Sequence, residues 1–199
     1  MWAQIFQSSG IPERIRSSSS PVQLVLVFAP RSVLLDGRSV DRIRTTFASA
    51  IVCGCSTGGQ ILDDELIDED AVVMTLGFEH SEVRLMSESL SDADSSRICG
   101  EALGTALFRS DLTGVLVLAD GLCVNGNELV EGLVAAVGEG VVVAGGMAAD
   151  GDAFISTVIV ANEIVASNLV VAIGVYGAAF RMRTGIGDGG QVFGLRAGW

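Results

Sequence analysis

The residues with the clearest chemical potential form a Gly-rich turn, Gly54-Cys55-Ser56-Thr57-Gly58. Its spacing matches G-x-S-x-G, the turn that presents the nucleophilic serine of α/β-hydrolases between a strand and a helix. A strand-like run precedes the motif, but Gln60 to Asp64 does not resemble a helix start. A triad also needs a histidine after the acid, and the single histidine, His80, follows closely within a predicted hairpin. The pattern therefore favours ligand contact through N–H groups and hydroxyls, or simple loop closure, over catalysis.

A second turn, Asp120 to Asn127, lies between a predicted strand and a predicted helix. The free N–H groups and the positive dipole end of a helix N-terminus favour a carboxylate ligand. Asn125 or Asn127 could also act as the cap of that helix, and the two roles are compatible.

A third turn, Gly145-Gly146-Met147-Ala148-Ala149-Asp150-Gly151-Asp152, follows another buried-type strand. Paired glycines allow a backbone to approach a ligand closely, and the two aspartates could bind an amine or a cation, or cap a turn. A later match to G-x-G-x-x-G at Gly185 to Gly190 leaves only nine residues, too few for the helix and acid of a dinucleotide site. The acidic run from Asp63 to Asp70 lacks the central glycine and the alternation of a calcium loop, which predicts a solvated loop.

The cysteines and the histidine allow other chemistry. Cys53 and Cys55 share one face of their predicted strand, have no zinc-site spacing and are expected to be small core residues. Because no secretory signal precedes them, we expect all four cysteines to be reduced. His80 could serve as an axial haem ligand, or it could be a partly exposed turn residue.

Composition excludes several classes of partner. The net charge is −12, and all twelve basic residues are arginines. So acidic a chain repels nucleic acid and lacks a basic face for anionic lipid. No apolar run reaches the roughly 18 residues of a membrane-spanning helix, and the N-terminus does not resemble a signal peptide. We therefore expect a cytoplasmic protein with no membrane or nucleic-acid partner.

Predicted strands and helices alternate in the first part of the chain, whereas predicted strands alone follow in the last part. These elements must position the three turns. Apolar runs predict buried strands, and helical spacing places Val40, Ile43 and Phe47 on one helix face. We predict an α/β fold, a mixed β-sheet with β-α-β units in the first part and an antiparallel meander in the last part. No internal repeat is apparent. The predicted strands are Val22–Phe28, Ile51–Cys55, Ala71–Leu76 and Ser81–Ser87 as a hairpin, Gly114–Leu118, Val141–Ala144, Ala153–Val160, Ile164–Ala166, Leu169–Tyr176 and Phe180–Thr184; the predicted helices are Ser39–Ser49, one after Ser91, and Asn127–Val137.

Three segments are expected along the chain. Residues 1–21, with the serine tract Ser17–Ser20, are expected to be a disordered leader, so that order begins at Val22. Residues 22–190 form the predicted domain, and residues 191–199 a tail, with the natural protein expected to continue beyond it.

The three turns, in this order, resemble the FIST domain family. The resemblance rests on Val52 to Gly59, on Leu118 to Gly121 with Asn125 to Leu129, and on Gly145 to Asp150 with Phe154, and it runs from about Val22 to Gly190. It departs at Ala149, where the family pattern often has glycine. It implies the N-terminal FIST half, with a C-terminal half usually following.

The resemblance implies a sensory input domain of bacterial signal transduction that binds small ligands such as amino acids. A partner chain such as a histidine kinase or a cyclic-dinucleotide enzyme would then carry the output. Some family members bind haem and respond to nitric oxide, and eukaryotic relatives occur in F-box adaptors.

We therefore predict a non-enzymatic, ligand-binding sensor without a cofactor. A haem-based nitric-oxide sensor using His80, and an adaptor module without a ligand, remain alternatives. The predicted ligand-binding residues are Cys55, Ser56, Thr57, Gly58, Asp120, Asn125, Gly145, Gly146 and Asp150.

Overall fold

The structure is a computed structural model that describes residues 1–11 and 20–184. Its strands are β1 (Trp2–Gln7), β2 (Leu24–Ala29), β3 (Ile51–Ser56), β4 (Gln60–Leu62), β5 (Glu65–Ile67), β6 (Val72–Gly77), β7 (Glu82–Ser89), β8 (Leu112–Ala119), β9 (Val142–Met147), β10 (Ile159–Ala161), β11 (Ile164–Ala166) and β12 (Leu169–Tyr176). Its α-helices are α1 (Arg31–Asp36), α2 (Arg38–Thr46), α3 (Ser96–Leu107) and α4 (Gly126–Val137).

Two mixed sheets organise the fold. The first has the order β1-β6-β2-β3-β10-β11, and the second has the order β7-β12-β8-β9. β2 and β3 are parallel and connected through α1 and α2, and β8 and β9 are parallel and connected through α4. The predicted α/β class with a mixed sheet is thus confirmed. The antiparallel strands of the last part are divided between the sheets, because β10 and β11 extend the first and β12 belongs to the second.

The buried side chains define four layers, helix on sheet on sheet on helix. Cys55 from the first sheet and Ile173 from the second lie in one apolar cluster between the sheets. Val40 and Ile43 of α2 pack against the outer face of the first sheet, and Leu129 of α4 packs against the outer face of the second. Helical spacing predicted the inward face of α2 correctly.

The N-terminal segment begins with a strand. β1 pairs antiparallel with β6 over its whole length, from Trp2 opposite Gly77 to Gln7 opposite Val72. The indole N–H of Trp2 also donates to the backbone oxygen of Ser20 at 3.1 Å. Order therefore begins before Val22, contrary to the expectation, because β6 offers an edge that β1 completes. Residues 12–19 of the expected leader lie outside the described residues, as do 185–190, with their G-x-G-x-x-G match, and the tail 191–199.

Three local predictions are wrong; one is the strand Ala153–Val160, of which only Ile159 and Val160 belong to a strand, β10. The runs that form β6 and β7 do not make a hairpin, because β6 pairs with β1 and β2 in the first sheet whereas β7 pairs with β12 in the second. The short link between them therefore crosses from one sheet to the other. The expected strand at Phe180–Thr184 is not formed.

The two halves of the chain share one topology, which contradicts the expectation of no internal repeat. β1-β6-β2-β3 and β7-β12-β8-β9 have the same order and the same relative directions. Val27 faces Gly54 across β2 and β3, and Val117 faces Gly145 across β8 and β9. A Cβ on either glycine would overlap with the backbone oxygen of the facing valine. The repeat therefore extends to the close approach of the parallel strands.

The halves differ in the hairpin that follows the last parallel strand. Each hairpin has two three-residue strands, and its turn contains a left-handed residue, Asp63 (φ 56°) or Asn162 (φ 51°). Three residues, 57–59, connect β3 to β4, whereas eleven, 148–158, connect β9 to β10. The long connection lets β10 reach and pair with β3. Among the described strands β4 pairs only with β5, and β9 remains at the edge of its sheet.

Candidate functional site

A cavity of about 630 Å³ lies at the carboxyl ends of β2 and β3. Because these strands are parallel, the segments that follow them meet at this edge, where α/β sheets commonly bind ligands. The size is that of a small-molecule site. Its walls come from the start of α1, the turn after β3, the hairpin β4–β5 and the long connection after β9. The lining residues are Pro30, Arg31, Ser32, Thr57, Gly58, Gly59, Gln60, Leu66, Asp68, Asp150, Gly151, Ala153 and Ile155.

The first predicted turn contributes Thr57 and Gly58 to this cavity but not its preceding residues. Ser56 is fully buried, and its hydroxyl accepts a hydrogen bond from the Val158 N–H at 3.0 Å. Cys55 lies in the core between the sheets, where burial raises the pKa of its thiol to about 12. The Ser56 hydroxyl therefore holds the long connection in place, and Cys55 is a protonated core residue at neutral pH.

The third predicted turn shapes the opposite wall. The carboxylate of Asp150 accepts hydrogen bonds from the backbone N–H groups of Phe154 (3.1 Å), Ile155 (2.7 Å) and Ser156 (3.0 Å). The hydrogen bond from Ile155, together with those from Ser156 and Phe154, lowers the pKa of Asp150. This carboxylate therefore folds the connection into a loop whose residues line the cavity.

The glycines at the start of that turn are part of the second sheet and not of the cavity wall. Gly145 and Gly146 belong to β9, and neither lines the cavity at β2 and β3. The backbone beyond them does reach it, because the Ala149 N–H donates to the Ser56 oxygen at 2.9 Å. The first and third turns are thus in direct contact.

The second predicted turn adjoins the third without lining the cavity. Asp120 is buried, and its carboxylate accepts hydrogen bonds from the N–H groups of Leu122 (2.8 Å), Cys123 (3.0 Å) and Asn168 (2.9 Å). Asn125 is the N-cap of α4, since its side-chain oxygen accepts from the Glu128 N–H at 3.3 Å. The structure therefore brings two of the three turns together at the cavity and gives Asp120 and Asn125 internal partners.

Sequence reasoning missed two residues of the cavity that have unmet hydrogen-bonding capacity. Within the described ranges, Arg31 Nε and Gln60 Oε1 are buried without a hydrogen-bond partner, and both residues line the cavity. Gln60 donates through Nε2 to the Thr57 hydroxyl, which fixes the direction of its free oxygen. Asp68 adds an exposed carboxylate to the same wall. The sequence did contain one signal for this site, since Arg31 is a cation directly after Pro30, at the end of a buried strand.

The surroundings of His80 do not fit a haem. His80 is exposed on the link between β6 and β7, and the cavity beside it has a volume of about 90 Å³. Sites for cofactors of this size are typically several hundred Å³. Phe78 and Phe180, in edge-to-face contact with ring centroids 5.7 Å apart, also line this small cavity.

Two further properties concern metals and membranes. Within residues 1–11 and 20–184, no three His, Cys, Asp or Glu side chains are grouped to hold a metal ion. In the same ranges, none of the helices has both the length and the apolar character to cross a membrane. All four cysteines are free thiols.

The sequence matches the family model of the FIST N domain over residues 23–197. No curated protein matches it. The matched region contains both parallel strand pairs, the three turns and the cavity. The chain therefore belongs to the FIST family, whose domains serve sensory signal transduction.

Proposed function

We propose that this domain is a non-catalytic sensor that binds a small polar molecule in the cavity at the ends of β2 and β3. The observation that carries the proposal is that two residues lining it, Arg31 and Gln60, each have a buried polar atom without a hydrogen-bond partner, Nε and Oε1 respectively. An unpaired buried polar group costs about 1–3 kcal/mol, and such groups are rare in native proteins. A ligand with one acceptor and one donor would satisfy both.

The chemistry of the wall supports a zwitterion, with an α-amino acid as the simplest member of that class. A guanidinium such as that of Arg31 favours a carboxylate. The free oxygen of Gln60 and the carboxylate of Asp68 favour an ammonium group. Thr57 and Gly58 line the same wall and bring a hydroxyl and backbone groups close to such a ligand.

The loop after Asp150 offers a route from ligand to signal. Ile155 lines the cavity although 75% of its surface is exposed, and the neighbouring Phe154 is 74% exposed. Closure of this loop over a ligand would bury apolar surface and change the outer face of the domain. We assign the output to a partner protein, such as a histidine kinase or a cyclic-dinucleotide enzyme, that contacts this face.

The absence of catalysis is part of the proposal. The Ser56 hydroxyl is fully buried and already accepts the Val158 N–H, so it is not placed to attack a substrate. An activity-based serine probe is expected to leave the protein unlabelled. Four free thiols also fit a reducing, cytoplasmic compartment.

A thermal-shift screen with the twenty amino acids and their decarboxylated amines tests the ligand proposal. A ligand at 100 times its Kd adds about 2.7 kcal/mol of stability. Arg31→Gln is expected to abolish the shift. Arg38→Gln is the matched control, because Arg38 is exposed, pairs with Asp36 at 2.6 Å and lies outside the cavity.

Two outcomes would contradict the proposal. A shift that survives Arg31→Gln would place the ligand elsewhere. No shift with any compound would favour the interaction module without a ligand.

A further inference from the structure

Among the described strands, β9 has a partner on one side only, and its other, open edge is an uncharged run of six residues, Val142–Met147. The Ala148 N–H donates inward to Ala119 at 2.8 Å. Because N–H directions alternate along a strand, those of Val143, Gly145 and Met147 point to the open side. Gly145 to Met147 are exposed. Exposed, uncharged edges readily accept another strand, and natural proteins usually protect them.

The first half of the molecule shows how an equivalent edge is covered. β10 lies antiparallel on β3, with Ile159 opposite Cys55, Val160 opposite Gly54 and Ala161 opposite Cys53. Val160 is fully buried in the cluster that contains the inward face of α2. The topological counterpart of Gly54 in the second half is Gly145. A covering strand on β9 would therefore place its central side chain opposite Gly145 and toward α4.

A groove exists where that side chain would enter. It has a volume of about 220 Å³ and lies between α4 and β9, with Val117, Leu129, Val143 and Gly145 among its lining residues. Val130 and Met147 border it and are 40% and 43% exposed. The groove is thus matched to a branched aliphatic side chain presented by an added strand.

The charge around β9 determines which kind of segment can pair with its open edge. From residue 110 to residue 180, the region containing α4 and β9, the sequence has eight acidic residues and no lysine, arginine or histidine, although Arg97 of α3 pairs with Glu128 and Glu131 of α4. Glu139 lies just before β9, and Asp150 and Asp152 lie just after it. A second copy would bring another −12 of net charge, and the chain's own hairpin β4–β5 carries the acidic run. Both are repelled, whereas a basic segment is attracted.

We propose that the edge of β9 is a strand-addition site for a basic, extended segment of a partner protein. The segment pairs antiparallel with Val143 to Met147 and inserts one branched aliphatic side chain into the groove beside α4, with lysines or arginines near the acidic ends of the edge. The site is separate from the ligand cavity and does not depend on its occupancy.

The test uses a fluorescent peptide copied from residues 157–167, which contain the strand that covers β3. Lysine replaces Glu163, and three lysines are appended. One control peptide ends in three glutamates, and another carries Val160→Asp. The lysine peptide is expected to bind at least tenfold more tightly than either control. Hydrogen exchange should slow at Val143, Gly145 and Met147 and stay unchanged at Gly54.

Two protein variants localise the binding. Met147→Pro removes an outward N–H while leaving the inward bonds of β9, and it should weaken binding at least tenfold; Met147→Ala, which keeps the N–H, should weaken it less than threefold. Val130→Lys, at the groove, should weaken it at least fivefold without unfolding the domain. Equal binding of the glutamate peptide, or no change in exchange along β9, overturns the proposal. Slow hydrogen exchange along β9 in the isolated protein would also overturn the proposal. Light scattering would then tell a dimer, in which a second copy covers β9, from a monomer, in which the hairpin β4–β5 covers it.

Discussion

β3 and β9 occupy equivalent places in the two halves of one chain, yet among the described strands β3 has a neighbour on both sides and β9 on only one. Every residue of β3 from Val52 to Ser56 is buried, whereas Gly145 to Met147 of β9 are exposed. The four equivalent strands of the two sheets do not differ in order or direction. The connection to the following hairpin differs in length, with three residues after β3 and eleven after β9. Loop length in a repeated framework therefore decides which edge is covered.

The same long connection also forms part of the cavity at the ends of β2 and β3. Its residues Asp150 to Ile155 form one wall, and the short turn after β3 forms another. The Ser56 hydroxyl and backbone fasten the two together through Val158 and Ala149. The long connection after β9 thus allows β10 to cover the edge of β3 and forms one wall of the cavity. After the short turn that follows β3, the hairpin β4–β5 pairs with no other described strand.

The glycines opposite the valines give the largest expected contrast between the halves. Gly54→Ala should lower the free energy of unfolding by about 3 kcal/mol, because its Cβ overlaps with the Val27 oxygen and β10 holds β3 in place. Gly145→Ala creates the same overlap with Val117, but β9 can move outward, so the loss should be about 1 kcal/mol. Urea denaturation measures both. Equal losses would mean that β9 is held as firmly as β3.

The central residues of the two hairpins sharpen the comparison further. Val160→Ala should cost about 2 kcal/mol, because this side chain is fully buried. Ile61→Ala, at the same position of β4, should cost less than about 0.5 kcal/mol, since Ile61 is 74% exposed. The same denaturation experiment applies. A cost above 1 kcal/mol for Ile61→Ala would indicate that β4 docks onto β9 in solution.

Much of this framework could be predicted from the sequence, since continuous apolar runs identify strands buried on both faces. Helical spacing likewise located α2, and α4 begins one residue before its prediction, at Gly126. The pairing could not be predicted. β6 and β7 are adjacent in sequence and look like a hairpin, but which sheet each joins depends on distant strands. The internal repeat was not apparent from the sequence. It consists of a shared strand order and shared strand directions, which become visible only once the strands are paired.

The candidate site could be predicted only in part. Strand-following Gly-rich turns led to Thr57, Gly58 and Asp150, which line the cavity at the ends of β2 and β3. They could not distinguish a side chain that faces a cavity from one that holds a loop, because whether Ser56 or Asp120 faces the cavity depends on tertiary neighbours that the local sequence does not show. The unpartnered atoms of Arg31 and Gln60 became apparent only once their neighbours were placed.

The carboxylates that follow β8 and β9 should differ in what they stabilise. Asp120→Asn should destabilise the whole domain by about 1.5 kcal/mol, because one of the three backbone donors to this buried carboxylate loses its acceptor. Asp150→Asn should leave global stability nearly unchanged, since its loop is exposed, yet it should speed amide exchange at Phe154 to Ser156. Thermal unfolding and hydrogen exchange separate the two effects. The reverse ranking would make the long loop part of the folding core.

The smallest expected effect is a pH dependence confined to the long loop. Hydrogen bonds from Ile155, Ser156 and Phe154 lower the pKa of Asp150 in the folded protein. A lowered pKa means that the carboxylate stabilises the loop at all pH values above its unfolded-state pKa, and that this stabilisation is lost as the pH falls through the folded-state pKa. The loop should therefore stay ordered through the ordinary carboxylate range and loosen only below it. Carboxyl carbon shifts of Asp150, compared with those of a peptide of residues 148–158, measure the difference. A midpoint in the protein at or above that of the peptide would show that these hydrogen bonds do not hold the loop, and would remove the physical reason for the wall it gives the cavity.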